Sequence, residues 1–245
     1  NNVLAVEVYR FTDGSFLECQ DFWRFSGIFR DVFLWSAPKT QIRDFFFLTD
    51  LDNQYKNATV NLDVEITGKK GAGEIEAKIT DLNGKEIANK TIKAQMGKNK
   101  LSFDVVNPLK WTAETPNLYN LTISLKQKGK VTDIRSKKVG FRKIELTKDG
   151  QMLINGKSTL FKGVDRHDHS AANCRTVSKE EMEKDVQLIN SLNLNAVRTS
   201  HYPNNPYFYD LCDRYGLYVM AEANVACHGL MSLSKEPSWE QSFLE

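Results

Sequence analysis

Five consecutive ionisable side chains, Asp165, Arg166, His167, Asp168 and His169, interrupt the apolar start of the run FKGVDRHDHS. A second run, VRTSHYPNNP from Val197, carries Arg198 and His201 at a corresponding place, and a third, from Leu217, leads into Glu222, Asn224 and His228. Imidazoles donate or accept hydrogen bonds near neutral pH, arginine is a permanent cation and carboxylates accept. Apolar strands that each spend charge at the same end mark a site.

The elements that must position these residues are legible. Ser178 followed by Glu181 is a capping box that opens a helix through about Leu192, with Met182, Val186 and Ile189 on one face. Asn205 with Pro206 starts a second helix, and Gly216 supplies its stop. Around them lie three apolar runs, Leu160 to Val164, Asn195 to Arg198 and Leu217 to Ala221. Strand, helix, strand, helix, strand predicts parallel strands with crossovers, where chemistry gathers on the loops that leave the strands. All four histidines, His167, His169, His201 and His228, are expected just past these strands, with the charged rim beginning at Asp165.

From about Thr40 to Glu145 the period is two. Val60, Leu62, Val64 and Ile66 alternate with polar residues, as do Ile75, Ala77 and Ile79, then Leu101, Phe103 and Val105, then Leu121, Ile123 and Leu125. Asn83-Gly84 predicts a hairpin turn that needs positive φ. About seven short strands predict a β-sandwich of immunoglobulin-like size that serves as scaffold.

A formal charge of +2 from 33 basic and 31 acidic residues leaves no footprint for nucleic acid or an anionic membrane. No apolar run approaches the roughly 20 residues that cross a bilayer, so a soluble globular chain is expected. Cys19, Cys174, Cys212 and Cys227 lack metal-site spacing and read as ordinary buried thiols. The opening NNVLAVEVYR reads as a strand already under way. The Asn-x-Thr triplets at Asn57, Asn89 and Asn120 carry little weight, and compartment is unreadable.

Five pieces in order resemble glycoside hydrolase family 2: DFWRFSGIFRDV (Asp21 to Val32), NPLKWTAETPNLY (Asn107 to Tyr119), GVDRHDH (Gly163 to His169), NAVRTSHYPNNP (Asn195 to Pro206) and LCDRYGLYV with EAN and HG (Leu211 to Gly229). The last piece resembles the large bacterial β-galactosidases of that family, while RH, SHYP and the sandwich resemble its β-glucuronidases too. The resemblance implies a multi-domain chain. Residues 1–37 would be the tail of a β jelly-roll sugar-binding domain, 38–147 an immunoglobulin-like β-sandwich, and 148–245 the first three β/α units of a (β/α)8 TIM barrel. It also implies a parent that hydrolyses terminal non-reducing β-D-galactosides with retention, its glutamate nucleophile and glutamate acid/base lying beyond residue 245, so that this segment alone is inactive. The alternatives are another activity of the family, such as β-glucuronidase, or a non-catalytic sugar-binding or structural module. The implied ligand is a β-galactoside, and a homo-oligomeric parent stays open.

Site roles follow from the same resemblance. Asp31 matches an aspartate that contacts the galactosyl hydroxyls and helps bind sodium. His167 and His201 match histidines that hydrogen-bond the sugar, and Arg198 matches an arginine beside the nucleophile. Arg166, His169, Glu222 and Asn224 are expected to support those groups, and His228 matches a magnesium ligand. Two departures stand out: Ala226 replaces a magnesium-ligating glutamate, which puts magnesium in doubt, and Asp165 stands where asparagine is usual.

Overall fold

The computed structural model describes residues 3–23, 25–68 and 73–244. They form two compact units, Leu34–Leu160 and Asn1–Phe33 with Phe161–Glu245. No helix among the described residues is long and apolar enough to cross a membrane.

In the first unit, seven strands follow the period-two pattern: β1 (Gln41–Leu51), β2 (Ala58–Thr67), β3 (Glu74–Thr80), β4 (Glu86–Lys93), β5 (Gly97–Val105), β6 (Tyr119–Gln127) and β7 (Lys130–Val139). They pair antiparallel as two sheets, β1-β2-β5 and β4-β3-β6-β7. Alternate side chains of both sheets, among them Val60, Leu62, Ile75, Ile79, Leu121 and Ile123, are fully buried in one core. Successive Cβ atoms point to opposite faces, so one register commits each strand's apolar set to that core.

The β3–β4 hairpin turn has the positive φ expected at Asn83-Gly84. Gly84 alone takes positive φ (87°), and its N–H bonds the Asp81 carbonyl while Asp81 Oδ1 accepts from the Asn83 and Lys85 N–H groups. The aspartate side chain organises the turn, and a register shift beside it absorbs the extra residue. A small antiparallel sheet, β8 (Ile144–Leu146), β9 (Met152–Ile154) and β10 (Lys157–Ser158), also belongs to this unit. Tyr55 donates to Glu145 at 2.9 Å and Asn155 to the Trp111 carbonyl at 3.2 Å, so the compact unit extends past residue 147.

The second unit holds a parallel sheet in the order β11 (Gly163–Arg166), β12 (Ala196–Thr199), β13 (Tyr218–Met220). Helices α2 (Lys179–Ser191) and α3 (Pro206–Tyr215) are the crossovers. Ser178 and Glu181 close the capping box of α2, the Asn205 side chain caps α3, and Gly216 ends α3 at φ 80°. Met182, Val186, Ile189, Phe208 and Leu211 pack with Val197 and Leu217 as the core of this unit. Two corrections concern the strand positions. β11 runs through Arg166, so two charged residues lie within the strand, and the opening Val3–Tyr9 forms no strand. Leu4, Val6 and Val8 there are exposed, with no ladder partner among the described residues, and a lone strand is not stable. Helix α1 (Gly14–Leu17) is the one named element before β1, while two 3-10 turns from His228 and α4 (Glu240–Leu244) follow β13.

Only one cysteine fits the buried-thiol reading. Cys212 on α3 is buried, which pushes its thiol up to about 12, whereas Cys19 and Cys227 are half-buried and Cys174 is exposed. Phe208 lies fully buried beneath the Arg166 guanidinium, 4.1 Å from ring centre to Cζ. Phe208→Ala should destabilise the second unit by about 3–5 kcal/mol. Native-state hydrogen exchange should show lost protection in α3 and β12 with β3 and β6 unchanged.

Candidate functional site

The parallel register builds the site. Asp165 lies opposite Arg198, and Arg166 lies opposite Thr199. Alternation then sends the two arginines to opposite faces. Arg198 stays partly exposed and collects acids: its Nε donates to Glu222 Oε1, and its Nη1 lies 3.4 Å from Asp165 Oδ1. Glu222, two residues past β13, also receives His201 Nδ1 on Oε2 at 2.9 Å. Burial pushes the Glu222 carboxyl up, but hydrogen bonds from His201 and Arg198 and their charges outweigh that and hold it below its ordinary range. The hydrogen bond to Glu222 raises the Arg198 guanidinium further. An ionised carboxylate only accepts, so the contact with Glu222 is made with a proton on His201 Nδ1, and Arg198 Nη2 lies 3.2 Å from the same nitrogen.

His167 and His169 stand beside this cluster. The His167 and His201 rings meet edge to face at 5.5 Å, Phe22 stacks on His167 at 4.6 Å, and Trp23 lies 4.7 Å from His169. Nδ1 of both His167 and His169 is buried without a hydrogen-bond partner among the described residues. Two such nitrogens leave hydrogen-bonding capacity that the described residues do not use. Burial, then repulsion from His201 and His169, holds His167 below its ordinary 6.5.

On the opposite face Arg166 is buried and fully engaged at Nε and Nη1. Nε donates to Asp185 at 2.9 Å, and Nη1 donates to Asp168 and Asn204, each at 2.6 Å. Tyr202 Oη accepts from the Asp168 N–H at 2.9 Å, and Asp168 Oδ2 accepts from the Asn205 N–H at 3.0 Å. Phe22, Tyr202 and Asn204 were not among the residues predicted for the site, and Asp168 was read in the charged run without a role of its own. Alternation past the strand end was the available signal, since it separates Arg166 and Asp168 from His167 and His169.

Of the predicted residues, the fold brings together His167, His169, Arg198, His201 and Glu222, with Arg166 behind them. Asn224 accepts from Gln20 of the N-terminal segment. Asp31 is exposed, and its neighbour Arg30 makes the contacts, donating to the Pro203 carbonyl at 2.6 Å and lying 3.7 Å from Asp168. His228 is 76% exposed, and its Nε2 lies 3.0 Å from Asp21 Oδ2, apart from the other imidazoles' ring contacts. The backbone of Ala226 is engaged by Leu17 and Gln20. No group of three or more His, Cys, Asp or Glu among the described residues could hold a metal. An imidazole titration followed by NMR should place His167 below 6.5, and His201→Ala should move that midpoint upward by removing the neighbouring ring's repulsion; a midpoint at or above 6.5 in the unaltered chain would contradict the described burial.

The comparisons bear on a chain with this architecture. Residues 1–38 match the sugar binding domain of glycosyl hydrolases family 2, 40–142 match glycosyl hydrolases family 2, and 144–244 match that family's TIM barrel domain. The β-galactosidase of Pseudoalteromonas haloplanktis is 42% identical over 261 residues, covering 99% of this chain and 24% of the relative. That of Clostridium acetobutylicum is 42% identical over 241 residues, covering 97% and 27%. The chain thus spans about a quarter of the length of the curated relatives it matches. Among solved structures, a Bifidobacterium dentium β-glucuronidase complexed with coumarin-3-O-glucuronide aligns with a TM-score of 0.72 at 29% identity, over 76% of this chain and 31% of the other. A Bacteroides vulgatus β-glycosidase aligns with 0.71 at 32% identity, over 81% and 26%. With a sandwich followed by parallel β/α units, and with consecutive family matches along nearly its whole length, the chain belongs to glycosyl hydrolase family 2.

Proposed function

We propose that the strand ends of the second unit are the sugar-contacting part of a retaining β-galactosidase. One observation carries the reading: His167, His169 and His201 gather beside Arg198, with two imidazole nitrogens lacking a partner among the described residues. A galactosyl unit is a dense set of neutral hydroxyls, and imidazole can meet each as donor or acceptor. His167, held below its ordinary range by burial, also leaves room for the positive charge that develops on the sugar in the oxocarbenium-like transition state.

The β-galactosidase relatives support a galactoside as substrate, and the β-glucuronidase neighbour supports a second reading, a glucuronide. Charge favours the first. Arg198 is already paired with Glu222 and Asp165, so a uronate carboxylate brought to that cation would meet two acids. Retention requires two carboxylates about 5–5.5 Å apart, and in this reading both are glutamates beyond residue 245. Arg198 and Glu222 fix His201 so that its Nε2 faces the sugar without reorganising during reaction.

In the protein carrying this segment, nitrophenyl β-galactoside should be cleaved in preference to the β-glucuronide. His201→Phe should lower kcat/KM by about 10²–10³. Preference for the glucuronide would reverse the choice of substrate, and an unchanged kcat/KM in the variant would remove His201 from the sugar.

Metals enter this proposal unequally. Asp31 offers the hard oxygen that a sodium ion takes, completed by oxygens from elsewhere. The donors near His228 do not fit magnesium, which wants oxygen ligands. Its Nε2 faces Asp21, and residue 226 offers only a methyl group. Activity should therefore persist in EDTA, and Ala226→Glu should introduce a magnesium response. Complete loss on chelation, restored by magnesium alone in the unaltered protein, would contradict this.

A further inference from the structure

We infer that Asp168 is a positioning residue whose carboxylate sets His167 and His201 together, acting through Arg166 and Asn205. Its side chain is almost buried, and both carboxylate oxygens are committed. Oδ1 accepts from Arg166 Nη1 at 2.6 Å; Oδ2 accepts from the Asn205 N–H at 3.0 Å and lies 3.7 Å from Arg30 Nη2. The Asp168 N–H goes to Tyr202 Oη at 2.9 Å, and Arg166 reaches on to Asn204 Oδ1 at 2.6 Å.

The chain order makes these bonds consequential. His167 lies between Arg166 and Asp168, so fixing both neighbours fixes the backbone that aims its ring. His201 precedes Tyr202, and the segment from Tyr202 to Asn205 is bonded to Asp168 or Arg166 at three residues. A carboxylate is suited to this place because every partner is a donor, and Asn205 is the N-cap of α3, where the helix favours negative charge. Asp185 bonds the same arginine from α2 at Nε but touches none of the Tyr202–Asn205 segment in these bonds, so it separates the burial of Arg166 from the aiming of the histidines.

The significance for sugar binding rests on the proposed function, while the geometric inference is tested without it. The chain has four histidines, so its imidazole ¹H–¹⁵N correlation spectrum is readable residue by residue. Asp168→Asn keeps the shape but turns an NH2 group against Arg166 Nη1 or the Asn205 N–H, donor against donor. It should shift the His167 and His201 signals and leave His228 in place, and Asp168→Glu should return them partway. Asp185→Asn should lower the thermal midpoint without moving those two signals. Should Asp168→Asn fail to fold, Asp168→Glu, which keeps the charge but displaces it, carries the test and should shift the same two signals by less.

Unmoved His167 and His201 signals in folded Asp168→Asn, or in Asp168→Glu in its stead, would overturn the inference. Equal movement in Asp185→Asn would also overturn it, since any disturbance of Arg166 would then suffice. Galactose titrated into the unaltered chain separates the two claims: loss of the expected perturbation at His167 and His201 counts against the sugar-binding reading and leaves the variant comparison standing.

Discussion

A guanidinium buried at a strand end has to be answered on the spot, and Arg166 is that group. Taking an ion out of water costs several kcal/mol even after relaxation unless partners replace its hydration. Here Asp168 and Asn204 take one nitrogen, Asp185 another, and the Phe208 ring lies beneath the plane. These partners come from the segment after β11, from α2, from the loop after β12 and from α3. Pairing two of its three nitrogens ties both crossovers to the sheet, while Nη2 is buried with no hydrogen-bond partner among the described residues, and the loops that carry His167 and His201 leave from those ties.

Arg198 solves the same problem differently because it points the other way. It keeps contact with solvent and is neutralised by Glu222 and Asp165, one from the neighbouring strand's continuation and one directly opposite in register. Its role is electrostatic and local: it keeps Glu222 ionised, and Glu222 in turn selects the proton position on His201. One parallel pair of strands thus presents a structural cation on its helix-covered face and a site cation on the other. The register that places Asp165 beside Arg198 is what makes the charged run FKGVDRHDHS intelligible as both strand and rim.

Much of the framework was legible because it follows from local rules. The period-two runs became β2, β3, β5 and β6, the capping box at Ser178 opened α2, and Asn205-Pro206 with Gly216 bounded α3. The histidines after β11 and β12 were legible for the same reason, since strand ends can be placed from where apolar spacing stops. The turn at Asn83-Gly84 was legible with its positive φ, while the Asp81 carboxylate that takes its backbone N–H groups was not. Val3–Tyr9 had the pattern of a strand, yet a pattern cannot supply the neighbour that a strand must bond.

By itself the sequence determined which segments alternate, where helices start and stop, and which residue types stand at the strand ends, since those depend on spacing and capping within a few residues. Only the tertiary structure decided that Arg166 is buried while Arg198 is not, that Asp168 serves Tyr202 and Asn205, and that His228 faces Asp21 instead of the other imidazoles. Those outcomes depend on register between strands and on partners up to two hundred residues away. Hydrogen bonds and ion pairs act over a few ångströms of space, and sequence separation does not measure that distance.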